Sequence, residues 1–123
     1  MKDELNSFTP IFIIGVGRSG TTLLQSILNA HPKICFPPET HFVKNYFRIN
    51  KEDMENFLVF KKRIFSDESI KRIPIDINKI LYKARTGKLI SKKMFYYYLL
   101  QEVKNQEKKE FVGDKDPKNI EHI

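Results

Sequence analysis

The sequence has a single cysteine, Cys35, which excludes an internal disulfide and a cysteine-clustered zinc site. No segment approaches the roughly 20 consecutive apolar residues that a helix needs to cross a bilayer. Residues 1–10, MKDELNSFTP, lack the apolar stretch of a secretory signal peptide. No metal-ligand spacing is visible along the chain. We therefore expect a cytoplasmic protein that has no membrane segment and binds no metal.

The 123 residues fit one domain or part of one, and 41% of them are hydrophobic, which is enough to bury a core. The formal net charge of +7 favours an anionic partner. Many lysines in the middle and at the end of the chain are mixed with acidic residues, which indicates solvated helix faces. A basic nucleic-acid-binding module is an alternative, but no nucleic-acid-binding motif supports it, and we expect no nucleic-acid partner.

The first 32 residues have the order strand, glycine-rich loop and helix. Residues 10–16, PIFIIGV, have no polar alternation, which is typical of a parallel strand buried on both faces. The glycine-rich segment 15–22, GVGRSGTT, follows, and residues 21–32 then show helical spacing of apolar residues before a proline. This order predicts an α/β fold that is P-loop-like, with three layers and a central parallel sheet.

The rest of the chain is predicted to be mainly helical between residues 44 and 110, with short extended segments at 33–38 and from about residue 111. Gly87 is interpreted as the C-cap of a helix that follows Pro74, and Ser91 as the N-cap of the next helix. Asp116 is interpreted as an N-cap near the end of the chain. Two apolar stripes are predicted on helices: Met54, Phe57, Leu58 and Phe65 on the first, and Phe95, Tyr98, Leu99 and Val103 on the last.

The glycine-rich segment has the residue types of a phosphate-binding loop. A loop between a strand and a helix N-terminus directs several backbone N–H groups toward one anion. Glycines such as Gly17 and Gly20 allow close backbone approach, and Thr21 and Thr22 supply hydroxyl donors. Arg18 adds a charged donor that can reach the same anion.

The loop departs from that of nucleoside triphosphatases at one position. Thr21 stands where those proteins have the lysine that contacts the outer phosphates. The departure disfavours triphosphate hydrolysis and favours a ligand with one phosphate at this position. A P-loop kinase acting on a small molecule is the alternative, and magnesium-dependent ATP consumption would support it.

Residues 15–40, GVGRSGTTLLQSILNAHPKICFPPET, resemble the 5′-phosphosulfate-binding segment of sulfotransferases that use 3′-phosphoadenosine 5′-phosphosulfate (PAPS). Within that family, the stretch NAHP and the following Glu-Thr are most similar to the tyrosylprotein and carbohydrate branches. The resemblance implies that the chain transfers a sulfuryl group from PAPS to an acceptor hydroxyl. It also implies that the 5′-phosphate is held by the loop residues Gly17, Arg18, Ser19, Gly20, Thr21 and Thr22.

The resemblance also implies three catalytic residues. In the tyrosylprotein branch the glutamate 21 residues after the loop arginine is the catalytic base, and counting from Arg18 this position is Glu39. The segment 113–118, GDKDPK, resembles the family's Lys-x-Pro segment, whose lysine falls on Lys115, near the transferring group. Arg18 would share the charge stabilisation. A surface acid at Glu39 and a surface lysine at Lys115 are the alternatives, and His41 would orient the acceptor or serve as a loop residue.

Family members are roughly twice this length, and their next segment binds the 3′-phosphate of the cofactor. The sequence is therefore expected to be the N-terminal portion of a sulfotransferase domain, and a non-catalytic nucleotide-binding remnant is the second alternative. The acceptor is expected to be a small molecule, a carbohydrate or a peptide.

Overall fold

The computed structural model describes residues 10–13, 30–47 and 52–115, with backbone only for residues 11–13 and for Lys115. This part of the chain contains short strands and helices. In order they are β1 (Ile11–Ile13), β2 (Ile34–Cys35), a π-helical turn (Val43–Phe47), β3 (Met54–Asn56), α1 (Phe57–Phe65), α2 (Glu68–Lys71), α3 (Ile77–Ala84), β4 (Arg85–Thr86), β5 (Leu89–Ser91), α4 (Lys92–Gln106) and β6 (Phe111–Lys115).

Three strands form a parallel sheet in the order β1-β6-β2. Ile11 pairs with Gly113 of β6, and Ile34 pairs with Phe111 at the start of the same strand. The predicted α/β fold with a central parallel sheet is confirmed, as are the two extended segments that supply β2 and β6. Because all three strands are parallel, their carboxyl ends lie at one edge of the sheet.

A second sheet, of three antiparallel strands in the order β3-β5-β4, lies within the segment predicted to be mainly helical. Gly87, with φ +63°, occupies the turn between β4 and β5. The interpretation of Gly87 as a helix C-cap is wrong, because α3 ends three residues earlier at Ala84. Both a helix C-cap and a tight hairpin turn need the left-handed conformation that glycine adopts most easily, so the residue alone does not distinguish them.

Side chains cap the N-termini of the helices. Ser91 Oγ accepts a hydrogen bond from the Met94 amide at 3.1 Å, which confirms the predicted start of α4. The same hydroxyl donates to Asp53 Oδ2 at 2.5 Å, and Asp53 Oδ1 accepts from the Lys93 amide at 2.8 Å. The start of α4 is thereby tied to the segment that leads into β3.

The predicted face of α4 is confirmed, and the predicted stripe on α1 is wrong. Leu58 is 71% exposed and Phe65 is 41% exposed, whereas the buried residues of α1 are Phe57, Phe60 and Ile64. Met54 belongs to β3, so a helical register counted from that residue selects the wrong face. The side chains predicted to pack on one face of α4 are all buried: Phe95, Tyr98, Leu99 and Val103.

Aromatic rings form the centre of the core. Phe42 is fully buried, and its ring stacks on Tyr96 with the centroids 4.7 Å apart and the planes within 2° of each other. Phe42 also stacks on Tyr46 at 4.5 Å and on Phe95 at 5.7 Å. Offset aromatic contacts of this kind add to the free energy gained from burial alone. They hold the segment after β2 against α4.

Candidate active site

Two of the residues that the sequence predicts to be catalytic lie at the carboxyl edge of the parallel sheet. Lys115 is the last residue of β6, and its backbone is in register with Ile13 at the end of β1. Glu39 follows β2 after the short segment Phe36–Pro38. The next residue, Thr40, is bonded to β6, because Thr40 Oγ1 lies 2.6 Å from an oxygen of Asp114. In open α/β sheets, ligands bind at the carboxyl ends of the strands.

The carboxylate of Glu39 is partly accessible, with 36% of its side chain exposed. Its Oε2 atom lies 3.8 Å from Nε2 of His41, which gives an ion pair when the imidazole is protonated. His41 itself has φ 53°, a left-handed conformation that is uncommon for residues other than glycine. The left-handed residue therefore lies two positions after Glu39, and the two side chains lie close together.

A buried polar cluster joins the two segments that carry these residues. Asp114 Oδ2 accepts hydrogen bonds from Thr40 Oγ1 at 2.6 Å and from the Tyr96 hydroxyl at 2.5 Å. The exposed fractions are 0% for Thr40, 2% for Tyr96 and 1% for Asp114. The sequence analysis does not predict this cluster. No local pattern marks it, since its members come from three separate segments.

The remaining site predictions lie outside the described residues. They are the phosphate-loop residues Gly17, Arg18, Ser19, Gly20, Thr21 and Thr22, together with the N-cap at Asp116. The side chain of Lys115 is likewise not described. In the sequence, the loop begins two positions after the end of β1, and the assignments of its residues stay predictions.

A cavity of about 300 Å³ lies beside the segment that precedes Glu39. Its wall includes Phe36, Pro37 and Pro38 on one side and Val103 of α4 on another, with Arg72 contributing a positive charge. Glu39 is not among the residues that line this cavity.

Among the residues that the structure describes, no group of three or more His, Cys, Asp or Glu side chains could hold a metal ion. Within the same residues, every helix is too short or too polar to cross a membrane.

The fold and the site together define an α/β protein whose candidate site lies at the carboxyl edge of a parallel sheet. A family model described as the sulfotransferase family matches residues 10–123, and the chain therefore belongs to the sulfotransferase family. The resemblance found in the sequence is thereby confirmed, and membership supports a transferase. Comparisons with curated proteins and with solved structures give no match.

Proposed function

We propose that this protein transfers a sulfuryl group from PAPS to the hydroxyl of an acceptor. The observation that carries the proposal is the common location of Glu39 and Lys115 at the carboxyl edge of the parallel sheet, beside the end of β1. The glycine-rich segment follows β1 in the sequence, so its anion-binding residue types support a donor site at the same edge.

Glu39 is proposed as the general base, because its carboxylate is partly exposed and belongs to a segment fixed against β6. It would accept the proton of the acceptor hydroxyl as the acceptor oxygen bonds to sulfur. The bond between sulfur and the bridging phosphate oxygen breaks in the same displacement. The products are the sulfated acceptor and adenosine 3′,5′-bisphosphate.

Positive side chains are proposed to stabilise the charge that develops during this displacement. Sulfuryl transfer resembles phosphoryl transfer, in which catalysis is mainly positioning and electrostatic stabilisation. Lys115 and Arg18 would act on the sulfonate and on the leaving phosphate oxygen. The loop residues Gly17, Ser19, Gly20, Thr21 and Thr22 would hold the 5′-phosphate. The acceptor is proposed to be a small molecule, a carbohydrate or a peptide.

Glu39→Gln tests the proposal because it removes the base and keeps the size of the side chain. Sulfur-labelled PAPS would be offered with a tyrosine peptide, an oligosaccharide and a phenol as acceptors, and adenosine 3′,5′-bisphosphate binding would be measured by calorimetry. Loss of a general base should lower kcat by about 10²- to 10⁴-fold. The dissociation constant of the bisphosphate should change less than about twofold, since Glu39 does not contact the nucleotide in this mechanism.

The matched control is Glu68→Gln, which neutralises a glutamate that is 79% exposed on α2. This variant should keep the wild-type kcat. Retained transfer in Glu39→Gln would remove Glu39 from the role of base. A wild-type chain that binds the bisphosphate but sulfates no acceptor would favour the non-catalytic nucleotide-binding alternative. Magnesium-dependent ATP consumption would favour the kinase.

A further inference from the structure

Thr40, Tyr96 and Asp114 form a closed ring of contacts with Phe42. Asp114 Oδ2 accepts hydrogen bonds from the hydroxyls of Thr40 and Tyr96. The Tyr96 ring stacks on Phe42, and the Phe42 amide donates to Thr40 Oγ1 at 3.1 Å. Each member therefore contacts two others, and displacement of one disturbs the whole ring.

Because the ring is buried, its polar atoms need hydrogen-bond partners within the protein. A carboxylate withdrawn from water loses its hydration, and only well-directed donors compensate for that loss. Thr40 and Tyr96 supply two hydroxyl donors to Asp114 Oδ2, at 2.6 Å and 2.5 Å. Removing one donor would leave Asp114 Oδ2 with one hydrogen bond fewer in a buried site, which is unfavourable. Conformations that keep both hydrogen bonds are therefore favoured, and the geometry of the ring is held within narrow limits.

The ring lies directly beside both candidate catalytic residues in the sequence. Thr40 follows Glu39, and Asp114 precedes Lys115. The Thr40–Asp114 bond therefore links two backbone segments that are 74 residues apart, and each of them carries one candidate residue. Tyr96 adds the long helix α4 as a third fixed support.

We propose that Thr40, Tyr96 and Asp114 are positioning residues that hold Glu39 and Lys115 in a fixed mutual arrangement for sulfuryl transfer. The proposal rests on the function proposed above. The ring does not touch the substrates in this mechanism. It acts through the backbone of the two catalytic segments, so its loss lowers the rate of transfer more than it weakens nucleotide binding.

Thr40→Val and Tyr96→Phe test the proposal, because each deletes one hydroxyl and keeps most of the side-chain volume. Misplacement of catalytic groups should lower kcat by about tenfold or more, with KM and the dissociation constant of adenosine 3′,5′-bisphosphate within about twofold of wild type. Thr40→Ser restores the hydroxyl and should recover most of the lost kcat.

Tyr46→Phe is the matched control. It also removes a tyrosine hydroxyl that donates to a carboxylate, here Asp67 Oδ2 at 2.6 Å, in a partly buried site of the same core. Like Tyr96→Phe, this variant should have a lower melting temperature than wild type, but it should keep the wild-type kcat. If Thr40→Val and Tyr96→Phe lower kcat no more than Tyr46→Phe does, the positioning role is overturned.

Amide hydrogen exchange measures the coupling between the two segments without depending on enzymatic turnover. Thr40→Val should speed exchange at residues 113–115 of β6 as well as around Phe42, whereas Tyr46→Phe should leave residues 113–115 unchanged. Unchanged exchange at residues 113–115 in Thr40→Val would overturn the link between the two segments. If the wild-type chain sulfates no acceptor, the proposed function fails, and the exchange result still decides whether the ring couples Glu39 to Lys115.

Discussion

The Nζ atom of Lys92 donates a hydrogen bond to the backbone carbonyl oxygen of Tyr46 across 2.9 Å. The lysine side chain is fully buried at the start of α4, and its ammonium lies 5.9 Å from the ring centroid of Phe47. This contact ties the N-terminus of α4 to the π-helical turn that follows the candidate base. It also places a titratable group in the interior.

Lys92 should make stability rise with pH on the alkaline side. Burial lowers the pKa of its ammonium below the ordinary 10.5, and the charge of Glu55 opposes this only in part. The unfolded chain therefore binds the proton more tightly, so the contribution of Lys92 to the unfolding free energy increases from its folded pKa up to 10.5. The slope is at most about 1.4 kcal/mol per pH unit.

Urea unfolding of wild type and Lys92→Met between neutral pH and pH 10 measures this contribution. The difference in unfolding free energy, wild type minus variant, should increase with pH. Lys62→Met, at an exposed position of α1, is the control for the loss of a lysine charge. An equally steep pH dependence in Lys62→Met would argue against burial as its cause. A difference that stays flat for Lys92→Met would contradict the lowered pKa.

Tyr46, in contrast, should make the unfolding free energy fall as the pH rises above 10. Burial, and then the hydrogen bond to Asp67, raise the pKa of its hydroxyl above the ordinary 10.0. The stability that this raised pKa provides is complete below pH 10 and is lost as the pH rises above it, because the unfolded state releases the proton first. Tyr46→Phe should cost about 1 to 2 kcal/mol at neutral pH.

The test is to follow the unfolding of wild type and Tyr46→Phe up to alkaline pH. The two free energies should converge above pH 10. Tyr82→Phe, at a side chain that is 53% exposed, should cost little at any pH. If the difference in unfolding free energy between wild type and Tyr46→Phe stays constant above pH 10, the raised pKa of the Tyr46 hydroxyl is contradicted.

Gly87→Ala should lower the unfolding free energy by about 1 kcal/mol for conformational reasons alone. A Cβ atom at Gly87 would meet no atom within 4 Å, but the backbone has φ +63°. Gly87→Asn should cost less than Gly87→Ala, because asparagine tolerates the left-handed region better. Chemical denaturation ranks the three proteins, and equal stabilities would argue against this turn conformation.

Arg18→Ala should weaken the binding of adenosine 3′,5′-bisphosphate by about tenfold or more, as expected when a charge-assisted hydrogen bond to an anion is lost. Calorimetry measures the affinity directly. Arg72→Ala removes an exposed arginine of the cavity that Glu39 does not line, and it should bind the bisphosphate as wild type does. Unchanged affinity in Arg18→Ala would remove this arginine from the donor site.

Features encoded in a few neighbouring residues could be predicted from the sequence. The cap at Ser91 is predictable because a serine directly precedes a helical apolar pattern, and the first strand because residues 10–16 are continuously apolar. The resemblance gave Glu39 through its distance from Arg18. The structure adds that this glutamate lies at the carboxyl edge of the sheet and pairs with His41.

Features that depend on distant residues could not be predicted. The antiparallel sheet consists of strands of two or three residues, too short to show a period of their own. The Thr40–Asp114 bond joins residues that come together only when the sheet forms. Sequence spacing therefore predicts the candidate residues, and tertiary packing shows that Thr40 and Asp114, their neighbours in the sequence, are bonded to each other.

The position of β6 between β1 and β2 also constrains how the protein is made. In the described sheet, neither of the two earlier strands has a hydrogen-bonding neighbour until β6 has left the ribosome. The helices of the middle segment rely on local contacts and can assemble first, whereas the sheet requires closure of a loop that includes them. During synthesis, the segment that carries the candidate base Glu39 is therefore made before β6, the strand to which Thr40 bonds it.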